Sequence, residues 1–200
     1  MLKNNDWFFK NLANMLTVTG LLMAVWLLIV AIGYPEQLWL MLLLTVLIGL
    51  TDFFDGKLAK RLQIESTFGK ALDRLRDKIF VCPTLLILVW RYLPLQNLSV
   101  VFNTFTIALI SLIILIECLL FSALIFGIAK NLDISSNKFG KAKMFCEFVL
   151  ILVWLIILNI EKYLNVPVNG FSIYVIDTIL IVTAYLAVKS IEGYSKIYQR

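Results

Sequence analysis

Residues 52–77 read DFFDGKLAKRLQIESTFGKALDRLRD and contain four aspartates within a largely apolar chain: Asp52, Asp55, Asp73 and Asp77. Carboxylates close to lipid are costly and are usually retained there for a function. Two unit charges about 5 Å apart repel by about 3 kcal/mol at an effective dielectric constant near 20. A divalent cation would turn that repulsion into attraction, and carboxylate oxygens suit hard cations such as Mg²⁺. The stretch therefore predicts a metal site.

The composition around this stretch is that of an integral membrane protein. The chain has 200 residues, of which 61% are hydrophobic and 16% are charged, and its mean hydropathy is +0.91. A soluble domain is about 45–50% apolar. We therefore expect one all-α membrane domain over residues 1–200. The net charge of +5 does not favour nucleic-acid binding, because the basic residues flank apolar segments and do not cover a soluble face.

Two residue types narrow the chemistry. The chain has no histidine, which excludes histidine-dependent catalysis and the common zinc sites. Its three cysteines, Cys82, Cys118 and Cys146, all lie in apolar stretches. An odd number of cysteines in such positions predicts free thiols and no disulfide framework.

Apolar runs long enough to cross a bilayer need about 20 residues. They predict six transmembrane helices, at 15–34, 36–63, 69–90, 98–129, 141–160 and 171–188. We expect residues 1–14 to form a short helix in the membrane interface. An ordinary charged lead-in to the first span is the alternative.

Basic residues predict the orientation of these spans. With a cytoplasmic N-terminus and six spans, only Arg91 and Lys162 of the 18 lysines and arginines lie on the far side. The sequence therefore predicts that both termini and the aspartate stretch face the cytoplasm, at the inner membrane if the source is bacterial.

Helical spacing sorts the aspartate stretch into two stripes. Residues three or four apart share a helix face, which gives one stripe on each helix: Asp52, Asp55, Gly56 and Ala59, then Gly69, Asp73 and Asp77. The short connection makes the helices antiparallel neighbours, so their carboxylates can converge on one or two cations. Small residues beside them let a phosphorylated ligand approach the backbone. The alternative is that the small residues mediate helix packing and the aspartates pair with neighbouring lysines and arginines.

The stretch resembles the CDP-alcohol phosphotransferase family, whose pattern is D-x-x-D-G-x-x-A-R-(x8)-G-x-x-x-D-x-x-x-D. The chain matches every position of this pattern except the arginine, which is Lys60 here. Lysine keeps the charge but loses the two-pronged geometry of a guanidinium. The six-span layout extends the resemblance over nearly the whole chain.

The resemblance implies a divalent-metal-dependent transfer in phospholipid synthesis. A CDP-linked donor, usually CDP-diacylglycerol, gives its phosphatidyl group to an alcohol, and CMP leaves. It also implies two Mg²⁺ or Mn²⁺ ions and a homodimer. The metal ligands that it implies are Asp52, Asp55, Asp73 and Asp77, and Asp77 is also the base for the acceptor hydroxyl. The nucleotide site that it implies is formed by Gly56, Ala59, Lys60, Gly69 and Asp52.

Weaker similarities point to the phosphatidylglycerophosphate synthase branch. Gly20 stands where that branch usually has an arginine, and Arg74 and Arg76 stand where it has proline and alanine. Ser136 and the residues after it resemble its S-x-x-G-K-x-K-T segment. Glu117 matches the glutamate of its R-E pair, whose arginine is replaced by Ile116.

Several cations around one pocket suit a phosphorylated acceptor such as glycerol 3-phosphate. We expect the acceptor site to be formed by these residues: Arg74, Arg76, Glu117, Lys138, Lys141 and Lys143. The alternative is that the lysines only enforce topology and contact anionic lipid.

Three other functions remain open at this point. The same chemistry could use inositol phosphate, serine or another alcohol, or a CDP-alcohol donor with diacylglycerol as acceptor. A small cation transporter is a different class, but its acids should lie near the midplane of broken helices. A non-catalytic assembly subunit would not need four aspartates in this spacing.

Overall fold

The computed structural model describes residues 3–62, 67–93, 100–129, 138–165 and 171–198. Within these ranges all regular structure is helical, as predicted. Six helices follow in chain order: α1 (Lys3–Gly33), α2 (Leu38–Leu62), α3 (Thr67–Tyr92), α4 (Val100–Ala129), α5 (Lys138–Leu164) and α6 (Phe171–Tyr198).

The predicted interfacial helix at residues 1–14 is not a separate element. Its described part runs without a break into the first apolar span, and both belong to α1. No glycine or proline stands between residues 3 and 19, and extending a helix by one residue is far easier than nucleating a new one. The helix ends at Gly33, before Pro35, which cannot continue the hydrogen-bonding pattern.

In the part of the chain that the structure describes, four helices are long and apolar enough to cross a membrane, over Met15–Gly33, Asn103–Ala123, Lys138–Leu164 and Ser172–Glu192. A fifth apolar segment, Leu38–Phe54, is shorter. The prediction of a span at 69–90 remains a prediction, because charged residues occupy much of the first half of α3. Large apolar side chains such as Leu22, Ile32 and Leu115 are exposed. Soluble proteins rarely expose broad apolar surfaces, so these helices are those of an integral membrane protein.

The chain divides into two compact units, Met1–Thr84 and Leu85–Arg200. In the first unit α1 packs against α2. The tight connection between them is stabilised by the backbone N–H group of Gln37, which donates to the Tyr34 carbonyl at 2.9 Å. The core of this unit is formed by buried apolar residues from the two helices and from α3, among them Ala24, Leu27, Met41, Leu44 and Phe80.

In the second unit α4 and α5 both pack against α6. Its core contains Ile113 of α4, Trp154 of α5 and Leu180 of α6, all buried. The Thr106 hydroxyl of α4 donates to the Asp177 carboxylate of α6 at 2.7 Å. Buried polar groups are usually hydrogen-bonded in this way, and the bond connects two helices within their apolar segments.

The three cysteines are free thiols, as predicted. Cys82 and Cys146 are half-buried, whereas Cys118 is exposed on α4. Cysteine behaves as a small apolar residue, which suits a position among exposed apolar side chains.

Candidate active site

The aspartate stretch lies on the last turns of α2 and the first turns of α3. Asp52 of α2 and Asp73 and Asp77 of α3 each offer one carboxylate oxygen, and these three oxygens lie within 4.8 Å of one another. The structure therefore brings together three of the four predicted aspartates. The side chains of the other motif residues lie outside the described part of the structure: Asp55, Ala59, Lys60 and Gly69.

Arg76 is the counter-cation of these three aspartates. Its Nη2 atom contacts Asp52 Oδ1, lies 2.5 Å from Asp73 Oδ1 and lies 3.6 Å from Asp77 Oδ1. The alternative in which aspartates pair with neighbouring basic residues thus holds for Arg76. Sequence reasoning assigned Arg76 to the acceptor and kept its pairing with the aspartates as the alternative, although side chains three residues apart on a helix, such as Asp73 and Arg76, are neighbours.

Burial differs sharply between the arginine and the acids. The Arg76 side chain is 1% exposed, whereas those of Asp52 and Asp73 are 56% and 43% exposed. Asp77 is intermediate, at 25%. The guanidinium thus lies on the protein side of the cluster, and the carboxylates lie on the accessible side, where a ligand can reach them.

Asp77 is the least exposed carboxylate of the cluster. It lies one turn after Asp73 on α3, and its oxygen lies within 4.8 Å of an oxygen of each of the other two acids. A carboxylate can act as a general base when it lies within hydrogen-bond reach of the proton that it takes.

Two glycines beside the cluster have opposite surroundings. Among the described residues, a Cβ atom at Gly56 would meet nothing within 4 Å. A Cβ atom at Gly20 of α1 would lie 3.0 Å from Thr51 Oγ1 and 3.1 Å from Arg76 Cδ. Contacts among the described residues therefore explain the glycine at position 20 and do not explain the one at position 56.

The donor set fits a hard divalent cation. Three converging carboxylates, two of them well exposed, offer oxygen ligands only, which is the chemistry that Mg²⁺ and Mn²⁺ prefer. Among the described residues this is the group of acidic side chains close enough together to hold a metal ion.

The second unit contains a different ionic cluster. Lys143 of α5 forms an ion pair with Glu117 of α4, and its Nζ atom lies 3.7 Å from Glu147 Oε1. All three side chains are buried. Two residues that sequence reasoning assigned to the acceptor, Glu117 and Lys143, are thus brought together, but as partners of each other.

The remaining acceptor candidates are more accessible. Lys138 and Lys141 are exposed at the start of α5, and Arg74 is half-buried on α3. Lys143 differs from the two other lysines because α5 turns its side chain toward α4.

Several known proteins resemble this chain. A "CDP-diacylglycerol--glycerol-3-phosphate 3-phosphatidyltransferase" of Wigglesworthia glossinidia brevipalpis is 32% identical over 65% of the chain and 66% of its own length. A protein of the same name from Rickettsia typhi is 38% identical over 40% of the chain and 46% of its length. A "Cardiolipin synthase (CMP-forming)" of Streptomyces coelicolor is 36% identical over 42% of the chain and 40% of its length.

The chain thus covers less than two thirds of each of these relatives. A family model described as CDP-alcohol phosphatidyltransferase matches residues 10–190. This match includes both ionic clusters and all but the ends of the chain. The chain therefore belongs to the CDP-alcohol phosphatidyltransferase family.

Proposed function

We propose that this protein transfers the phosphatidyl group of CDP-diacylglycerol to glycerol 3-phosphate and releases CMP. The observation that carries the proposal is the convergence of Asp52, Asp73 and Asp77. Family membership and the names of the relatives support the same reaction. The acceptor hydroxyl oxygen forms a bond to the phosphorus that bears diacylglycerol, and the bond from that phosphorus to CMP breaks.

Asp52, Asp55 and Asp73 would hold one or two divalent cations, Mg²⁺ or Mn²⁺. When bound, such ions neutralise the diphosphate of the donor and the charge on departing CMP. The accessible faces of Asp52 and Asp73 support this role, because the donor must reach the same ligands.

Asp77 is proposed to be the general base and a further ligand of the metal. It takes the proton of the acceptor hydroxyl and returns it to water once CMP has left. Its position beside Asp52 and Asp73 supports this role. Gly56, Ala59 and Gly69 of the two stripes, together with Lys60 and Asp52, would form the nucleotide site.

The acceptor phosphate is proposed to meet Lys138 and Lys141 of α5. Their exposure supports this assignment, since a cation must be accessible to bind a soluble anion. Arg74, which belongs to the first unit, is a separate candidate. Lys143 already has two carboxylate neighbours, so we propose that Lys143 and Glu117 stabilise the second unit by joining α5 to α4.

We further propose six membrane spans, cytoplasmic termini, a cytoplasmic active site and a homodimer. The bias of lysine and arginine toward one side of the apolar segments supports the orientation. Labelling of single introduced cysteines in intact vesicles tests it, because residues on opposite sides of the bilayer react with an impermeant reagent from opposite faces.

An assay of the purified protein tests the reaction. CDP-diacylglycerol is supplied with glycerol 3-phosphate, with phosphatidylglycerol, or with serine, and the lipid product is identified by mass. We expect metal-dependent CMP release with glycerol 3-phosphate and formation of phosphatidylglycerophosphate. A lipid product formed only when phosphatidylglycerol is the acceptor would instead support a cardiolipin synthase reaction. Cation flux into vesicles without CMP release would support a transporter.

A further inference from the structure

One nitrogen atom of Arg76 occupies a position that resembles that of a bound ion. Its Nη2 atom approaches an oxygen of Asp52 and of Asp73, and it lies 3.6 Å from an oxygen of Asp77. Three carboxylates from two helices therefore share a single cationic atom. These are the same three residues whose oxygens converge closely enough to hold a metal ion.

The buried setting of Arg76 makes this contact a stable one. The side chain is nearly inaccessible, and a buried charge without partners is strongly unfavourable. The accessible carboxylates supply the negative charge that the guanidinium needs. The arginine in turn offsets the repulsion among three acids that lie within 4.8 Å of one another.

Gly20 creates the space through which Arg76 reaches the acids. It is buried in the middle of α1, where glycine is about the least favourable residue after proline. A Cβ atom there would lie 3.1 Å from Arg76 Cδ and 3.3 Å from Arg76 Nη1. On its other side it would meet Thr51 Oγ1, which is committed to the Ile48 carbonyl at 2.8 Å.

We propose that Arg76 is a built-in competitor of the divalent cation. A metal ion bound to the oxygens of Asp52, Asp73 and Asp77 and a guanidinium nitrogen at their shared centre exclude each other. Arg76 therefore stabilises the cluster before the cation binds, and it weakens cation affinity because its Nη2 atom must withdraw. The inference rests on the proposed function, in which these acids bind a divalent cation.

Mn²⁺ binding to the full-length protein in detergent tests this competition, with electron paramagnetic resonance reporting the free ion. Four variants are compared with the wild type. Arg76→Gln removes the competitor, Arg91→Gln removes a cation from the last turn of α3, Gly20→Ala narrows the space beside Arg76, and Asp73→Asn removes a metal ligand.

We expect Arg76→Gln to bind Mn²⁺ at least about tenfold more tightly, because a positive charge has left the immediate surroundings of the ion. Arg91→Gln should stay within about twofold of the wild type, since a charge about 20 Å away along the helix is largely screened. Gly20→Ala should raise the affinity for Mn²⁺ about threefold, because the added methyl group displaces Arg76 from the acids. Gly20→Ala also keeps the test decisive if Arg76→Gln does not fold, because alanine favours a helix.

Melting without added cation supplies a second measurement. Arg76→Gln should melt at a lower temperature than the wild type, and Mn²⁺ should raise its melting temperature by more than it raises that of the wild type. Equal or weaker Mn²⁺ binding by Arg76→Gln and by Gly20→Ala would overturn the proposal, because Arg76 would then hold the ligands in place for the ion. If instead Asp73→Asn binds Mn²⁺ as the wild type does, the proposed metal site itself is wrong.

Discussion

Each of the two ionic clusters joins one buried basic side chain to carboxylates, but the exposure of the carboxylates differs between them. In the first unit Arg76 is buried beneath three aspartates, of which Asp52 and Asp73 remain accessible. In the second unit Lys143 is buried together with both of its carboxylate neighbours, Glu117 and Glu147. The open cluster has ligand oxygens available to an incoming cation, whereas the closed one has its charges enclosed by protein.

This contrast distinguishes a cluster that can bind a ligand from one that stabilises the fold. A closed ion pair costs desolvation of every member and stabilises the fold only while all members are present. An open cluster keeps part of its hydration and can exchange partners. These burial differences support the proposal that the aspartates of α2 and α3 take part in catalysis and that the cluster between α4 and α5 has a structural role.

The largest expected effect is the loss of activity when the open cluster loses a ligand. We expect Asp52→Asn or Asp73→Asn to lower the rate of CMP release by about 10⁴-fold, because the amide no longer neutralises a cation at the diphosphate. Glu192→Gln, the same chemical change at an exposed acid of α6, is the control and should retain the wild-type rate. Full turnover by Asp52→Asn and by Asp73→Asn would remove the open cluster from catalysis.

A substitution in the closed cluster should lower the stability of the fold. Lys143→Met leaves Glu117 and Glu147 buried without their cation, and we expect it to lower the free energy of unfolding by about 3–5 kcal/mol. Lys141→Met, at an exposed position two residues earlier in α5, is the matched control and should change it by less than about 0.5 kcal/mol. The measurement is unfolding of the protein in detergent micelles. Equal effects of the two substitutions would show that the cluster is not closed.

Substitution of exposed lysines of α5 should raise the KM for the acceptor and leave the KM for the donor unchanged. We expect Lys138→Ala with Lys141→Ala to raise the KM for glycerol 3-phosphate at least about 30-fold, because each of the two charge-assisted contacts to phosphate contributes about 1 kcal/mol or more. The KM for CDP-diacylglycerol should be unchanged. Kinetics with each substrate varied in turn measure both constants, and a rise confined to the donor would contradict the acceptor assignment.

The smallest effect concerns the hydrogen bond between Thr106 and Asp177 in the second unit. Thr106→Val removes the hydroxyl that donates to Asp177 at 2.7 Å, and we expect a loss of stability of about 1 kcal/mol with activity unchanged. Thr104→Val is the control on the same helix, because its hydroxyl is exposed and bonds only within α4, to the Val100 carbonyl. Identical unfolding curves for the two variants would mean that the bond between α4 and α6 contributes nothing.

Much of the fold follows from elementary patterns in the sequence. Apolar runs, Pro35 and the short polar connections predicted all six helices to within a few residues at most ends. The separate helix at residues 1–14 was the exception, because an interfacial segment and the start of a span have the same composition until their continuity is known. The spacing of Asp52, Asp73 and Asp77 predicted which acids meet, since helical periodicity and a short connection determine both faces.

The partners of buried cations could not be predicted in the same way. Nothing in the local sequence distinguishes Lys143, which is buried beside Glu117, from the exposed Lys141 two residues earlier. Their difference depends on which side of α5 faces α4, and that is a property of helix packing. The contact of Arg76 with the three aspartates was likewise only the alternative interpretation, because the space that Arg76 occupies depends on Gly20, a residue 56 positions away in the chain.

Metal-dependent turnover tests the central claim most directly. The purified protein is treated with a chelator, and CMP and lipid product are then measured as Mg²⁺ or Mn²⁺ is added back in the presence of CDP-diacylglycerol and glycerol 3-phosphate. The account predicts no turnover before the cation is restored, followed by CMP and phosphatidylglycerophosphate in equal amounts, and no recovery in Asp73→Asn. Turnover that persists after chelation, or that recovers equally in Asp73→Asn, would contradict it.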